Sequence, residues 1–206
     1  MPLLLAGCGG PLSTLDPAGP AAASIATLWW VMFWGSAIIS LGMFCLIAVA
    51  ATRPQAAAGL SPRGFIVWGG LVFPSAVLAA LLIFALAMGE RLIPKQTGTA
   101  PMRIEVTARQ WMWEVAYPEA PDAATSLDVL HIPAGRPVDI AVTSRDVIHS
   151  FWIPRLGGKI DAIPGHTNVI RLQADRPGSY RGVCAEFCGT GHTMMDLRVE
   201  AHAEEE

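Results

Sequence analysis

Two hydrophobic patterns divide the chain. No charged side chain occurs between residues 17 and 52, or again between 64 and 89, and the apolar residues there leave no polar face. A bilayer core of about 30 Å takes roughly 20 apolar residues in a helix rising about 1.5 Å per residue. The stretches 25–50 and 65–88 meet that length, so the pattern predicts two membrane-spanning helices. Helices on the surface of a soluble domain ordinarily carry a charged stripe, which both stretches lack. Trp29, Trp30, Trp34 and Trp68 fall near the ends of the spans, where aromatic side chains collect at membrane interfaces. Pro74 predicts a kink inside the second span, which neighbouring helices can tolerate, and Cys45 at mid-span reads as a buried apolar residue.

From residue 102 the texture changes. Ile104 and Val106 alternate with polar neighbours, as do Val138, Ile140 and Val142, and later Met195, Leu197 and Val199. This is the two-residue period of half-buried strands. Ala134-Gly135-Arg136-Pro137, Gly157-Gly158, Pro164-Gly165 and Pro177-Gly178 are turn signals between them. Short strands at such spacing predict an all-β sandwich or barrel. The expected organisation is an N-terminal segment 1–23, a hairpin 24–90, a linker 91–101, a β domain 102–200 and an acidic tail 201–206.

Composition agrees with a membrane protein: 52% of the 206 residues are hydrophobic and 15% are charged. Two spans put both ends of the chain on one side. The linker between them carries Arg53 and Arg63, whereas residues 1–24 carry no Lys or Arg. The positive-inside rule therefore places the linker in the cytoplasm and the β domain outside, with Arg91 and Lys95 weakening the contrast. Leu5-Ala6-Gly7-Cys8 is similar to a lipoprotein box, making Cys8 a lipidation candidate, although no basic residue precedes it.

The densest chemistry lies at 184–195, where Cys184, Cys188, His192, Met194 and Met195 fall within one short segment. Thiolate, imidazole and thioether form a soft set that suits copper. Cys184, Cys188 and His192 are spaced by four, but Gly189 and Gly191 argue for a loop wrapped around a metal rather than a helix face. A disulfide or a zinc site are the alternatives. A disulfide leaves His192 and the methionines unexplained, and zinc rarely takes methionine. His149, in the apolar segment Asp146-Val147-Ile148-His149-Ser150-Phe151-Trp152, is the best distant ligand, because an unpaired imidazole there would be costly. His131 is far from the loop in sequence, His166 sits in a turn, and His202 belongs to the tail.

These motifs resemble subunit II of the haem–copper cytochrome c oxidase family. Cys-x-Glu-x-Cys-Gly-x-Gly-His-x-x-Met at 184–195 matches that family's dinuclear copper A motif. Asp-Val-Ile-His-Ser-Phe-Trp at 146–152, Asp161-Ala162-Ile163-Pro164-Gly165 and Gln110-Trp111-x-Trp113 match further segments. The resemblance implies a two-helix transmembrane hairpin followed by an all-β, cupredoxin-like copper domain on the periplasmic side of a bacterial inner membrane. Two copper ions would be bridged by Cys184 and Cys188. His149 and His192 would each bind one ion, with Met195 and the Glu186 carbonyl as weak ligands. The Glu186 carboxylate would help hold a magnesium ion shared with the catalytic subunit. Trp111 would receive electrons from cytochrome c, Trp113 would pack, and Gln110 and Asp161 would lie at a partner interface. The implied partners are oxidase subunit I, other oxidase subunits, cytochrome c and the membrane, with no role for nucleic acid. The implied activity is transfer of electrons towards oxygen reduction, coupled to proton translocation.

The β region and tail, residues 104–206, hold 15 acidic and 9 basic side chains, which suits a basic donor protein but equally suits ordinary solubility. Many members of the family have a glutamate near the start of the second helix; here no acidic residue lies between Arg53 and Glu90. The short N-terminal segment is similar to that of quinol oxidase relatives, which often lack the copper ligands. A non-redox quinol oxidase subunit is therefore the alternative function. A copper chaperone or sensor needs an exchangeable site and no hairpin, and the hairpin also speaks against nitrous oxide reductase, which carries a similar loop. No Cys-x-x-Cys-His haem-attachment pattern occurs.

Overall fold

The computed structural model describes residues 9–53, 55, 61–90, 101–120 and 124–203. Cys8, most of the linker 91–101 and the three glutamates that end the tail lie outside the described residues. Contacts group the chain into two units, 27–91 on the one hand and 1–26 with 92–206 on the other.

The first unit is helical. Helix α1 (Pro20–Thr52) and helix α2 (Pro62–Glu90) are 33 and 29 residues long, with mean hydropathies of 2.1 and 2.6 over their most apolar windows. Both exceed what a bilayer requires. Their apolar side chains point away from protein: Ile38, Leu41, Phe44, Ile66 and Leu78 are all exposed, as expected of surfaces solvated by lipid. Cys45 is exposed as well, so the buried position expected from its place in the span is not what the fold gives it. Trp29 stacks on Phe33, and Trp30 on Trp34, in a ladder along one end of α1. The disturbance expected at Pro74 takes a specific form. Residues Phe65–Val72 are a π-helix, and the Phe73 N–H donates to the Trp68 carbonyl five residues back. Proline lacks the N–H that an α-helical register needs, and the widened turn lies immediately ahead of it.

The second unit is a β-sandwich. One sheet has the order β3–β2–β1–β5–β8 and the other β4–β10–β9–β6–β7. Its strands are β1 (Met102–Arg109), β2 (Met112–Ala116), β3 (Thr125–Leu127), β4 (Val129–Pro133), β5 (Val138–Ser144), β6 (His149–Trp152), β7 (Ile160–Ala162), β8 (Asn168–Leu172), β9 (Gly178–Cys184) and β10 (Asp196–His202). Each sheet holds one parallel pair, β1 with β5 and β4 with β10, among antiparallel neighbours. Alternation sends Ile104, Val106, Ile140 and Val142 inward from one sheet and Leu130, Ile132, Phe151, Leu197 and Val199 inward from the other. Where β5 pairs with β8, Asp139 faces Arg171, and the two form a bidentate ion pair at 2.7 and 2.8 Å.

Met195 departs from the strand pattern. It precedes β10 and ends a 3-10 turn at His192–Met194, though it is as buried as a core residue. The start of α1 also differs from the expected boundary at 25. The helix begins at Pro20, and the backbone just before it is tied to the β unit. Ala18 N–H donates to the Arg155 carbonyl at 2.7 Å, Asp175 N–H donates to the Ala18 carbonyl at 2.9 Å, and Arg155 pairs with Asp16 at 3.0 Å.

Candidate metal centre

One end of the sandwich gathers the predicted donors from two strands and a loop. His149 opens β6 and Cys184 closes β9, and the two strands run antiparallel with Phe151 opposite Cys184. The loop that leaves β9 carries Cys188 and His192 before β10 begins at Asp196. Two backbone bonds close the loop onto the strands: Cys184 N–H donates to the Met195 carbonyl at 3.0 Å, and Ala185 N–H to the Ser150 carbonyl at 2.8 Å.

The donor atoms form a chain. His149 Nδ1 lies 3.8 Å from Cys184 Sγ, Cys184 Sγ lies 3.9 Å from Cys188 Sγ, and Cys188 Sγ lies 3.6 Å from His192 Nδ1. The two thiols are free and not joined as a disulfide. Metal–sulfur bonds of about 2.3 Å and metal–nitrogen bonds of about 2.0 Å, at tetrahedral angles, separate ligand atoms by roughly 3.5 to 3.8 Å. Every link of the chain is close to that separation, so neighbouring donors are spaced for metal coordination. The ligand atoms of His149, Cys184 and Cys188 all lie within 4.8 Å of one another, and His192 contacts the far thiol. Each imidazole therefore stands beside a different sulfur.

The side chains are held from behind. His149 is fully buried, and its second nitrogen, Nε2, meets Asp146 Oδ1 at 2.9 Å, leaving Nδ1 facing the sulfurs. Such an outer carboxylate fixes the orientation of a metal-binding imidazole. Asp146 also accepts the backbone N–H groups of Gln110 and Val147, each at 2.7 Å. Burial alone would raise its pKa, but the bonds from His149, Gln110 and Val147 prevail and hold it down at about 2. The sequence signal for this role of Asp146 is its place three residues before His149 in the motif Asp146-Val147-Ile148-His149. Trp113, fully buried, presents an edge to His149 and to Phe151, with ring centroids 6.2 and 5.5 Å away.

Burial pushes the Cys188 thiol up to about 11, and the neighbouring Cys184 adds to the rise. Without a cation Cys188 holds its proton at neutral pH, and a bound metal would have to displace it. Cys184 Sγ also approaches the Glu186 carbonyl at 3.2 Å, whereas the Glu186 side chain is exposed. Met195 is 1% exposed and Met194 76%, so the fold separates two methionines that composition cannot.

The β1–β2 turn covers the loop. Gln110 Nε2 and Trp111 Nε1 both donate to the Cys188 carbonyl, at 2.7 and 3.2 Å. Trp111 stays 38% exposed, so one indole joins solvent to a cysteine backbone. Gly191 permits this: a Cβ there would collide with the Trp111 ring. Asp161 lies on β7 opposite Ser150 and bonds Lys159 at 3.1 Å, and its pKa is lowered by the Ser150 and Lys159 hydrogen bonds. His166 pairs with Asn168, and His131 with His202, away from the donor chain.

Residues 123–202 match the family described as cytochrome c oxidase subunit II, periplasmic domain. The chain is similar to quinol oxidase subunit 2 of Bacillus cereus, at 33% identity over 98% of this chain and 73% of that one. It is similar also to cytochrome c oxidase subunit 2 of Alkalihalophilus pseudofirmus, at 32% identity over 97% of this chain, and spans 61% of that relative's length. The crystal structure of the periplasmic domain of subunit II of cytochrome oxidase from Bradyrhizobium japonicum aligns with 52% of this chain and 88% of its own, at 30% identity and a TM-score of 0.48.

Proposed function

Because the chain belongs to the subunit II family of haem–copper oxidases, we propose that it is the subunit through which electrons reach the oxidase, taking them from cytochrome c at a dinuclear copper centre. The observation that carries this reading is the donor chain His149–Cys184–Cys188–His192, with every link between 3.6 and 3.9 Å. Cys184, Cys188, His149 and His192 would hold a pair of coppers, with Met195 and the Glu186 carbonyl as further donors. Copper held there would supply one-electron redox chemistry.

The chain's own residues do the rest. Asp146 orients His149, and Trp113 and Phe151 exclude water behind it. Trp111 offers an exposed ring bonded to the Cys188 carbonyl, a short path inward from a docked donor. Gln110 and Asp161 stand at the surface for partner contact, and the outward Glu186 carboxylate is available to a magnesium ion shared with the catalytic subunit. Oxygen reduction and its coupling to proton movement belong to that partner. Helices α1 and α2 span the inner membrane twice, with the segment around Arg53 and Arg63 inside and the β unit in the periplasm. Lipidation of Cys8 would add a second anchor on the periplasmic side.

The quinol oxidase reading has a relative of comparable identity in its favour. It predicts no use for a complete donor set, which is why the cytochrome c reading is preferred. The full chain in detergent, loaded with copper, is expected to bind two coppers and give a mixed-valence electron paramagnetic resonance signal shared over two nuclei. Cys188→Ser should abolish that signal. A single-copper spectrum, zinc alone, or reduction by quinol but not by cytochrome c would overturn the proposal.

A further inference from the structure

A pair of imidazoles lies on the outward face of strands β4 and β10. His131 Nδ1 and His202 Nε2 are 2.9 Å apart. Their rings lie 22° from parallel, with centroids 5.1 Å apart. Neither residue takes part in the donor chain described above. The pair sits on β4 and β10, parallel neighbours whose register sets Glu200 opposite His131 and Pro133 opposite His202. Leu130, Ile132, Val199 and Ala201 alternate inward on the same strands and are buried, so both histidines project outward from a packed framework.

The backbone beneath them is fixed. His131 N–H donates to the Tyr117 hydroxyl at 2.6 Å, and the His202 carbonyl accepts from Ala134 N–H at 2.8 Å. Beside the pair, Glu200 is held by Ser179 at 3.1 Å. The strand β10 begins immediately after Met195 and ends at His202. Seven residues at about 3.3 Å each put the pair roughly 20 Å from the buried sulfurs. Two sites at that distance, one closed and one open to solvent, can be read separately.

The geometry points to a solvent-facing chelate site for a divalent transition-metal ion, with His131 and His202 as its two protein ligands. Imidazole nitrogens suit Cu2+, Ni2+ and Zn2+. Two nitrogens 2.9 Å apart, bound at about 2.0 Å, subtend about 90° at the ion. That is the angle between neighbouring positions in tetragonal coordination, the preference of Cu2+ and Ni2+. Among divalent ions of this kind, imidazole sites hold Cu2+ more tightly than Ni2+ or Zn2+. Coordination needs a lone pair on both facing nitrogens, so the hydrogen that joins them would move to the outer nitrogen of its own ring. Water fills the remaining positions, which makes the site exchangeable, unlike the enclosed cysteine cluster.

The test uses the full chain in detergent with its buried copper sites already filled, titrated with Cu2+. One further equivalent per chain should bind, giving a mononuclear paramagnetic signal split by two nitrogens. His131→Gln and His202→Gln should each weaken that binding about ten-fold or more, because one imidazole alone loses the chelate. His166→Gln should leave it unchanged. The signal should also persist in the Cys184→Ser/Cys188→Ser double variant, which separates it from the buried cluster and from the reading proposed above. Both histidines are exposed, so thermal midpoints should stay in place; if one variant misfolds, the other decides. No further equivalent, binding that survives both histidine variants, or loss confined to His166→Gln would overturn the proposal.

Discussion

Leu78 in α2 is 65% exposed, and Leu197 in β10 is 2% exposed. The same side chain is kept from water in both places, but by different means. In the sandwich, two sheets close on each other and the fold itself removes apolar surface from solvent. In the helical unit the surrounding lipid does so, and the fold need only satisfy the backbone, which a helix does internally. Apolar residues therefore report tertiary packing in one unit and solvent identity in the other. The contrast extends to polar groups: His149 can be fully buried in the sandwich because Asp146 and the sulfurs meet it, whereas α1 and α2 carry no charged residue between 17 and 52 or between 64 and 89.

Substitutions can break or sharpen that contrast. Trp113→Ala removes a fully buried indole from between the sheets and should cost about 3–5 kcal/mol. The denaturation midpoint of the β unit reads this, and a loss below about 1 kcal/mol would show that packing there is not what holds the sandwich. The next effect compares two exposed leucines. Leu78→Arg should oppose membrane insertion by about 2.5–3.5 kcal/mol. Leu127→Arg, on β3 and 57% exposed, should change stability by no more than about 0.5 kcal/mol. Equal effects in a membrane-insertion assay and a denaturation assay would erase the distinction between lipid-facing and water-facing surface.

Gly191→Ala places a methyl group against the Trp111 ring and should cost about 1–3 kcal/mol. A shift in Trp111 fluorescence should accompany the lowered midpoint, and an unchanged midpoint would show that the β1–β2 turn is not packed on the metal loop. The smallest effect is electrostatic. Asp161 has its pKa lowered by Ser150 and Lys159, so its ionised form contributes stability above its unfolded pKa, near 3.8, and that contribution fades as pH falls through the folded value. Asp161→Asn should therefore be less stable than the parent at pH 6 and indistinguishable from it in strong acid. A deficit that persists at low pH would assign the effect to packing instead.

Much of the fold was legible because periodicity is a local property. Two uncharged stretches gave the helices, and alternation at Ile104, Val138 and Leu197 gave three strands that form as expected. Boundaries were less legible. The sequence pattern starts the first helix at 25, yet α1 starts at Pro20 after a segment tied to Arg155 and Asp175, contacts made by residues more than a hundred positions away. Met195 alternates in phase with Leu197 and Val199, but the 3-10 turn at His192–Met194 keeps it out of the strand. Cys45 looked buried because an apolar mid-span position reads the same whether protein or lipid covers it.

The sequence by itself determined the two helices, the β character of the remainder and the residue types of the candidate metal centre, because hydrophobic period and donor chemistry are written residue by residue. It also carried the motif order by which the family resemblance was recognised. Only the tertiary structure decided that His149 faces Cys184 while His192 faces Cys188, that Asp146 stands behind His149, and that Gln110 and Trp111 converge on one carbonyl. It alone paired His131 with His202, 71 residues apart in the chain. The physical reason is common to all of them: a hydrogen bond or a ligand set acts over about 3 to 4 Å in space, and sequence separation says nothing of that distance until strands β4, β6, β9 and β10 have been placed side by side.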